Sequence, residues 1–273
     1  VRSLAVLAGV GVAALWLRSP ADPPSPHDAG SVAAGQGPRV PLFVDPALVR
    51  PTPRFRYTFD PPEALAALRR QERLDLVVAE AADELERCVA LMRWARRQWE
   101  PGVPGRHHPL DARSILGAVR ADPGSAGGPE YACVLAQALQ SFGVPARYVS
   151  LAGHDVIEAR LPDQGRWVCF DPLYATWYKD ESDAPLSVLE IHRRVTTGRP
   201  VLPADDHRFS DLAGHLRAFR SFSVWLKNDH VSSPVNVTDL DRYKLHYAGT
   251  PIVPLAYPPG RLATDEPADL YPG

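Results

Sequence analysis

Apolar residues in the central part of the chain follow two different spacings. Before residue 143 they recur every three or four positions, as Leu85, Val89 and Met92 do, which is typical of helices that bury one face. This spacing predicts helices at residues 63–73, 83–99, 111–120 and 131–142. Strand-like runs follow at residues 146–151, 154–161 and 166–171, with a hairpin turn at 162–165 between the last two. In the C-terminal part, the pattern predicts helices at 187–197 and 210–219 and a strand at 221–226.

Polar residues and glycine mark several of the predicted helix ends. Asp83 is followed three residues later by Glu86, the capping-box arrangement that satisfies free N–H groups at a helix start. Asp111 and Ser187 stand at equivalent positions before the helices that follow them. Gly143 ends the helix predicted at 131–142, because glycine readily adopts the backbone conformation needed there.

The N-terminal fifty residues have a different character from the rest. An uninterrupted apolar and glycine run at residues 4–17 lies between Arg2 and Arg18, and it is shorter than the roughly 20 residues that span a bilayer. We therefore predict a signal peptide or membrane anchor at residues 1–18, with a buried N-terminal helix as the alternative. Residues 19–50 are rich in proline, alanine and glycine, which predicts a disordered linker.

Composition and charge exclude several classes of function. The 30 basic and 32 acidic residues leave a net charge of −2, so no basic footprint for nucleic acid is present. Three cysteines are too few for a disulfide scaffold, and no CxxC pair starts a zinc site. His107 and His108 have no carboxylate or thiol at ligand spacing, so we predict no metal and no cofactor. Cys88 and Cys169 are read as core residues, with pairing between them left open.

Three residues in a fixed order indicate nucleophilic chemistry. Cys133 follows a glycine-rich loop and is predicted in the first turn of a helix, where free N–H groups and the helix dipole would stabilise a thiolate. His154 opens a predicted strand and Asp171 closes the next one, so the two would lie side by side at one end of the sheet. With the Cys133 helix packed across that sheet, the three would serve as nucleophile, base and orienting carboxylate.

The same region resembles the transglutaminase-like superfamily. The resemblance is carried by GGPEYACVLAQALQSFGVPARYVSL (127–151) and GHDVIEARLPDQGRWVCFDPLY (153–174), and it covers roughly residues 83–192. Its matching positions are Cys133, the Gly-Val-Pro-Ala-Arg run at 143–147, His154, Glu158, Trp167, Asp171 and Pro172. The resemblance implies a papain-like α+β fold, with the nucleophile-bearing helix packed on an antiparallel sheet. It also implies a transglutaminase-like catalytic core at 51–200, with a C-terminal extension at 201–273 that packs on the core.

Further roles follow from this resemblance. An oxyanion donor would come from the segment upstream of the nucleophile, and Trp99 and Gln98 are the two candidates, although Trp99 could equally be a core residue. Tyr131 would line the substrate cleft. The implied enzyme is an exported cysteine acyltransferase or amide or peptide hydrolase that forms an acyl-enzyme from a peptide or glutamine-type amide.

The alternative is a non-catalytic binding or scaffold protein of the cell envelope. Expected partners are a protein, a peptide or a cell-envelope polymer, with possible membrane attachment through residues 4–17. The expected location is the periplasm, the exterior or the membrane surface.

Overall fold

The computed structural model describes residues 55–102, 108–205, 209–249 and 262–271. Every described residue belongs to one compact unit, Val44–Gly273. The segments predicted as a signal or anchor at 1–18 and as a linker at 19–50 lie outside the described residues. Within the described ranges, no helix has the length and apolar character needed to cross a bilayer.

Five helices make up the first half of the described chain. They are α1 (Ala66–Gln71), α2 (Leu74–Val77), α3 (Glu84–Arg96), α4 (Ala112–Ala121) and α5 (Gly128–Gln140). The predicted caps are confirmed, because the Asp83 carboxylate accepts the Glu86 N–H and the Asp111 carboxylate accepts the Arg113 N–H. Helix α5 begins three residues earlier than predicted, with Pro129 in its first turn, where a missing N–H costs nothing.

Eight strands form one mixed sheet. Its strands are β2 (Ala146–Leu151), β3 (Asp155–Leu161), β4 (Arg166–Asp171), β5 (Thr176–Lys179), β6 (Leu202–Pro203), β7 (Phe222–Trp225), β9 (Lys244–Tyr247) and β10 (Leu262–Thr264). The spatial order is β10-β9-β7-β2-β3-β4-β5-β6. Only the β10–β9 pair among these described strands is parallel. The predicted hairpin is confirmed by the antiparallel pairing of β3 with β4.

The C-terminal part of the chain contributes to this same sheet. Strand β7 pairs antiparallel with β2 at the centre, so residues beyond 200 complete the sheet. The remaining described α-helices are α6 (Val188–Thr197), α7 (Leu212–Leu216) and α8 (Pro267–Leu270). The other described elements are 3₁₀ helices at Pro162–Gln164, Arg217–Arg220 and Val237–Tyr243 and a short parallel pair of β1 (Thr58–Phe59) with β8 (Lys227–Asn228). The observed class is therefore a mixed α/β fold.

Two hydrophobic cores lie on opposite faces of the sheet. Alternate strand residues point to opposite faces, so Tyr148, Ile157 and Phe170 pack with helices α3, α4 and α5 on what we call the α5 face. Val149 and Cys169 pack with α6 on the other, the α6 face. This division determines which predicted site residues can meet.

A buried ion pair crosses strands β2 and β3 and anchors the C-terminal segment. Arg147 and Glu158 are both fully buried, and the guanidinium Nη2 lies 2.6 Å from the carboxylate Oε2. The second carboxylate oxygen accepts hydrogen bonds from the Val188 N–H and the Tyr271 hydroxyl. Arg147 also lies 4.2 Å from the centre of the Trp167 ring. Arg147, Glu158 and Trp167, which belong to the motif that carries the family resemblance, thus have a structural role here.

Candidate functional site: a histidine–aspartate cluster

His154 and Asp171 meet at one end of the sheet, as the sequence predicts. His154 directly precedes β3, after a turn in which Gly153 has a φ of +77°. Asp171 is the last residue of β4 and is fully buried. The His154 Nε2 lies 2.9 Å from the Asp171 Oδ2, which is hydrogen-bond distance. A buried carboxylate therefore fixes the orientation of a partly exposed imidazole.

The electrostatics of this pair follow from burial and mutual charge. Burial alone would lower the pKa of His154, but the charge and hydrogen bond of Asp171 raise it above its usual value. Burial would likewise raise the pKa of Asp171, but His154 and His215 together hold it well below its usual range. The carboxylate is therefore ionised at neutral pH.

Two further residues complete the cluster, and sequence reasoning did not find them. The His215 Nε2, from helix α7, lies 3.1 Å from the same Asp171 oxygen. The Tyr178 hydroxyl, from β5, lies 2.9 Å from that oxygen and 2.7 Å from the His215 Nε2. Tyr178 lies two residues after Thr176, which pairs with Asp171, so the two-residue repeat of a strand places Tyr178 and Thr176 on the same face of the sheet. His215 comes from a short helix remote in sequence, which no local spacing identifies.

Aromatic rings surround the two imidazoles. Tyr174 stacks on Phe209 with ring centres 4.6 Å apart, and it meets the His154 and His215 rings edge-on at 5.9 Å and 4.7 Å. All four side chains are partly exposed. Together these four rings form what we call the aromatic surface.

Cys133 lies elsewhere, and its predicted position in the first helical turn is wrong. Because α5 begins at Gly128, Cys133 is the sixth helical residue and lies in the second turn, fully buried in the core of the α5 face. Burial raises the pKa of its thiol to about 12, although the nearby Tyr148 hydroxyl partly opposes this. That hydroxyl makes no hydrogen bond of standard geometry with any described residue.

The sheet separates the thiol from the carboxylate. Asp171 shares its side of β4 with Cys169, which packs in the core of the α6 face, and it contacts Tyr178 of that same core. Among the described residues, no hydrogen bond joins the Cys133 sulfur to His154. The structure thus brings two of the three predicted catalytic residues together and leaves the third apart.

The first turn of α5 contains no thiol. It holds Gly128, Pro129 and Glu130, and the Glu130 carboxylate accepts the Gly127 N–H at 2.9 Å. A side chain added at Gly128 would meet the Leu173 side chain at an ordinary contact distance of 3.5 Å. Leu173 follows Asp171 by two residues. The end of α5 that faces the β4–β5 turn therefore carries a residue without a side chain.

Of the two predicted oxyanion donors, Trp99 is buried and Gln98 is half-buried. Trp99 stacks on Tyr131 with ring centres 4.0 Å apart, and its indole Nε1 has no hydrogen-bond partner among the described residues. The Gln98 side chain donates to the Trp94 carbonyl at 2.9 Å. The prediction that Tyr131 lines a cleft is wrong, because its side chain is fully buried and its hydroxyl donates to the Trp99 carbonyl.

Cys88 and Cys169 do not form the disulfide that the sequence left open. Both are free and buried, Cys88 in the core of the α5 face and Cys169 in the core of the α6 face. Because the sheet lies between these cores, the two sulfur atoms have no route to one another in this fold.

Comparisons with known proteins add little to this description. No family model and no curated protein matches the chain. A search of solved structures matches the crystal structure of a "putative protease" from Parabacteroides distasonis, with 14% sequence identity and a TM-score of 0.28. The match covers 40% of this chain and about a quarter, 26%, of that one. A superposition of this quality carries no argument about function.

Proposed function

We propose that the chain is a transglutaminase-like binding protein whose Cys133 thiol forms no acyl-enzyme. The observation that carries the proposal is the full burial of Cys133 on the α5 face, while the oriented imidazole of His154 belongs to a cluster in contact with the α6-face core. Acyl transfer by a thiol requires a nucleophile within hydrogen-bond reach of its base, with access for substrate.

The ionisation of the thiol supports the same conclusion. Burial raises the pKa of Cys133 to about 12, so the side chain is a neutral thiol at pH 7. Activated thiols in enzymes have a pKa below the free value of about 8.5, so the shift here has the opposite sign. The stabilising position at the start of α5 is taken by Gly128, which has nothing to ionise.

The aromatic surface is the binding site in this proposal. Its rings offer apolar contact area, while the two imidazoles offer polar contacts, a combination that suits ligand sites. A peptide or a cell-envelope polymer is the proposed ligand. Export, with or without membrane attachment through residues 4–17, belongs to the same proposal and rests on the N-terminal sequence alone.

One observation favours a second candidate, the thiol enzyme itself. The His154–Asp171 hydrogen bond of 2.9 Å is the base-and-orienter half of a catalytic triad. For this candidate, α5 would have to move so that the Cys133 sulfur leaves its core and reaches the imidazole. The two proposals therefore differ on whether the function of the protein requires the Cys133 thiol.

An activity and binding assay on the full chain separates them. The protein is incubated with a glutamine-containing peptide and a fluorescent primary amine, and both amine incorporation and ammonia release are followed. We expect wild type and Cys133→Ala to be equally inactive. Turnover that Cys133→Ala abolishes would establish the thiol enzyme.

The binding half of the proposal has its own readout. Peptides and cell-wall polymer fragments are titrated against wild type, Cys133→Ala and Tyr174→Ala. We expect Cys133→Ala to bind like wild type and Tyr174→Ala to bind about two- to tenfold more weakly, since one aromatic ring packed on a ligand contributes about 0.5–1.5 kcal/mol. Binding that Tyr174→Ala leaves unchanged would refute the assignment of the aromatic surface.

A further inference from the structure

We propose that His154, Asp171 and His215 form a binding site for a divalent transition metal of the Zn²⁺ type. One ligand atom from each residue lies within 4.8 Å of the others. Both imidazole Nε2 atoms converge on a single carboxylate oxygen, at 2.9 Å and 3.1 Å. Two imidazoles with one carboxylate is a ligand set that zinc and related metals accept in proteins.

Two of the three separations between these atoms are close to those of a metal site, and the third, between the two imidazole nitrogens, is at most 4.8 Å. Zinc bonds of about 2.0–2.2 Å with tetrahedral angles place neighbouring ligand atoms about 3.3 Å apart. The observed contacts of 2.9 Å and 3.1 Å are within a few tenths of an ångström of that value. An ion would therefore enter by replacing the Nε2 protons and spreading the three side chains slightly.

Charge at this position favours a cation. Asp171 is fully buried, and an ionised carboxylate in such a place needs compensation. Among the described residues, the groups that bond to its Oδ2 are two imidazoles and the Tyr178 hydroxyl, so a protonated imidazole is the cation that can compensate it when no metal is bound. A divalent ion bound to two neutral imidazoles would supply that charge directly.

The ligands are held by separate elements that the fold brings together. His154 precedes β3, Asp171 ends β4 and His215 lies on α7, so the geometry depends on the whole sheet rather than on a local loop. The Tyr174 N–H donates to the other oxygen of Asp171 at 3.3 Å, which helps to orient the carboxylate. The Tyr178 hydroxyl is close enough to act as a fourth ligand or to hold a water there.

The site remains reachable from solvent. The side chains of His154 and His215 are 12% and 9% exposed, so an ion could enter and keep one position for water or for a ligand atom. The proposal goes beyond the binding function above and does not depend on it, and it departs from the sequence-based expectation of no metal.

Metal titration of the full chain tests the proposal. Protein treated with a chelator is titrated with Co²⁺, whose visible d–d absorption reports coordination geometry, and then with Zn²⁺ to displace it. We expect one ion per chain and a tetrahedral Co²⁺ spectrum. We also expect Zn²⁺ to raise the melting temperature, because an ion that binds only the folded state stabilises it.

Variants locate the ion. We expect His215→Asn and His154→Asn each to weaken Zn²⁺ binding at least about 100-fold, since even changes around a ligand cost 10–100-fold. His246→Asn is the matched control, because His246 lies on β9 and bonds to Ser223, away from the cluster. Binding that the control weakens as much as the cluster variants would overturn the proposal. So would a wild-type protein with no tetrahedral Co²⁺ spectrum, a result that requires no variant to fold.

Discussion

His230 gives the fold a pH dependence that can be calculated. Its ring is only 4% exposed, it packs edge-on against Tyr148 and Trp225, and neither nitrogen has a hydrogen-bond partner among the described residues. Burial, and to a smaller extent the charge of Lys227, lowers the pKa of His230 from 6.5 to about 4, while Asp60 and Asp229 partly oppose this. The folded state thus holds His230 neutral where the unfolded chain would protonate it.

The sign and size of the effect follow from linkage. Between pH 6.5 and about 4 the unfolded state binds the extra proton, so folding stability falls as the pH falls through this window. A pKa difference of this size, at about 1.4 kcal/mol per pH unit, corresponds to roughly 3 kcal/mol in the free energy of unfolding. All of this stabilisation is present above pH 6.5, and most of it is lost by pH 4.

Denaturant unfolding at a series of pH values measures this contribution. The free energy of unfolding of wild type is compared with that of His230→Phe, which retains an aromatic ring and removes the titrating group. We expect the difference between the two proteins to change by roughly 3 kcal/mol from pH 7.5 to pH 4 in favour of the variant. Tyr148→Phe, which removes a neighbouring buried hydroxyl, should keep the wild-type pH dependence. Parallel curves for wild type and His230→Phe would refute the reasoning.

Two further predictions concern the buried ion pair and the start of α5. Glu158→Gln removes one charge of the fully buried pair with Arg147. We expect this variant to lower the free energy of unfolding by about 3–5 kcal/mol, measured by denaturant unfolding. A loss below about 1 kcal/mol would show that the pair is not buried as described. Gly128→Cys introduces a thiol at the partly exposed N-terminus of α5, where the helix dipole favours the thiolate. We expect this new thiol to react with iodoacetamide at least about tenfold faster than Cys133, as measured by mass spectrometry. Equal rates at the two cysteines would contradict this account of the helix.

Local sequence signals were sufficient for much of the fold. The starts of α3 and α4 follow from Asp83 and Asp111, whose side chains cap free N–H groups within their own turn. The β3–β4 hairpin follows from the turn between two strand-like runs, and the His154–Asp171 contact follows from their places at adjacent strand ends. Each of these predictions depends on residues close together in the chain or on neighbouring strands.

The start of α5 differs from the sequence prediction. Gly127 and Gly128 are typical loop residues, so the sequence predicts the helix from residue 131, whereas Pro129 fits the first turn and allows the helix to begin at Gly128. Moving the start by three residues places Cys133 in the second turn. Every residue of α5 from Glu130 to Gln140 is buried, so a side chain in the second turn lies in the core instead of at the helix end.

Long-range placement accounts for the rest of the site. His215 reaches Asp171 only because α7 packs near the β5 end of the sheet, and no sequence spacing encodes that approach. The separation of Cys133 from Asp171 likewise depends on which face of the sheet α5 covers. Alternation along the strands determines which residues share a face of the sheet, but tertiary packing determines which helix covers each face.

The rate at which Cys133 reacts in the native protein tests the central claim most directly. Iodoacetamide labelling near neutral pH is followed by mass spectrometry at each cysteine, in native and in denatured protein and in His154→Ala. A fully buried thiol with a pKa of about 12 should react at least about 1,000-fold more slowly in the native than in the denatured protein, with no change in His154→Ala. Native labelling of Cys133 that is faster than that of a free thiol, and that His154→Ala abolishes, would contradict the account.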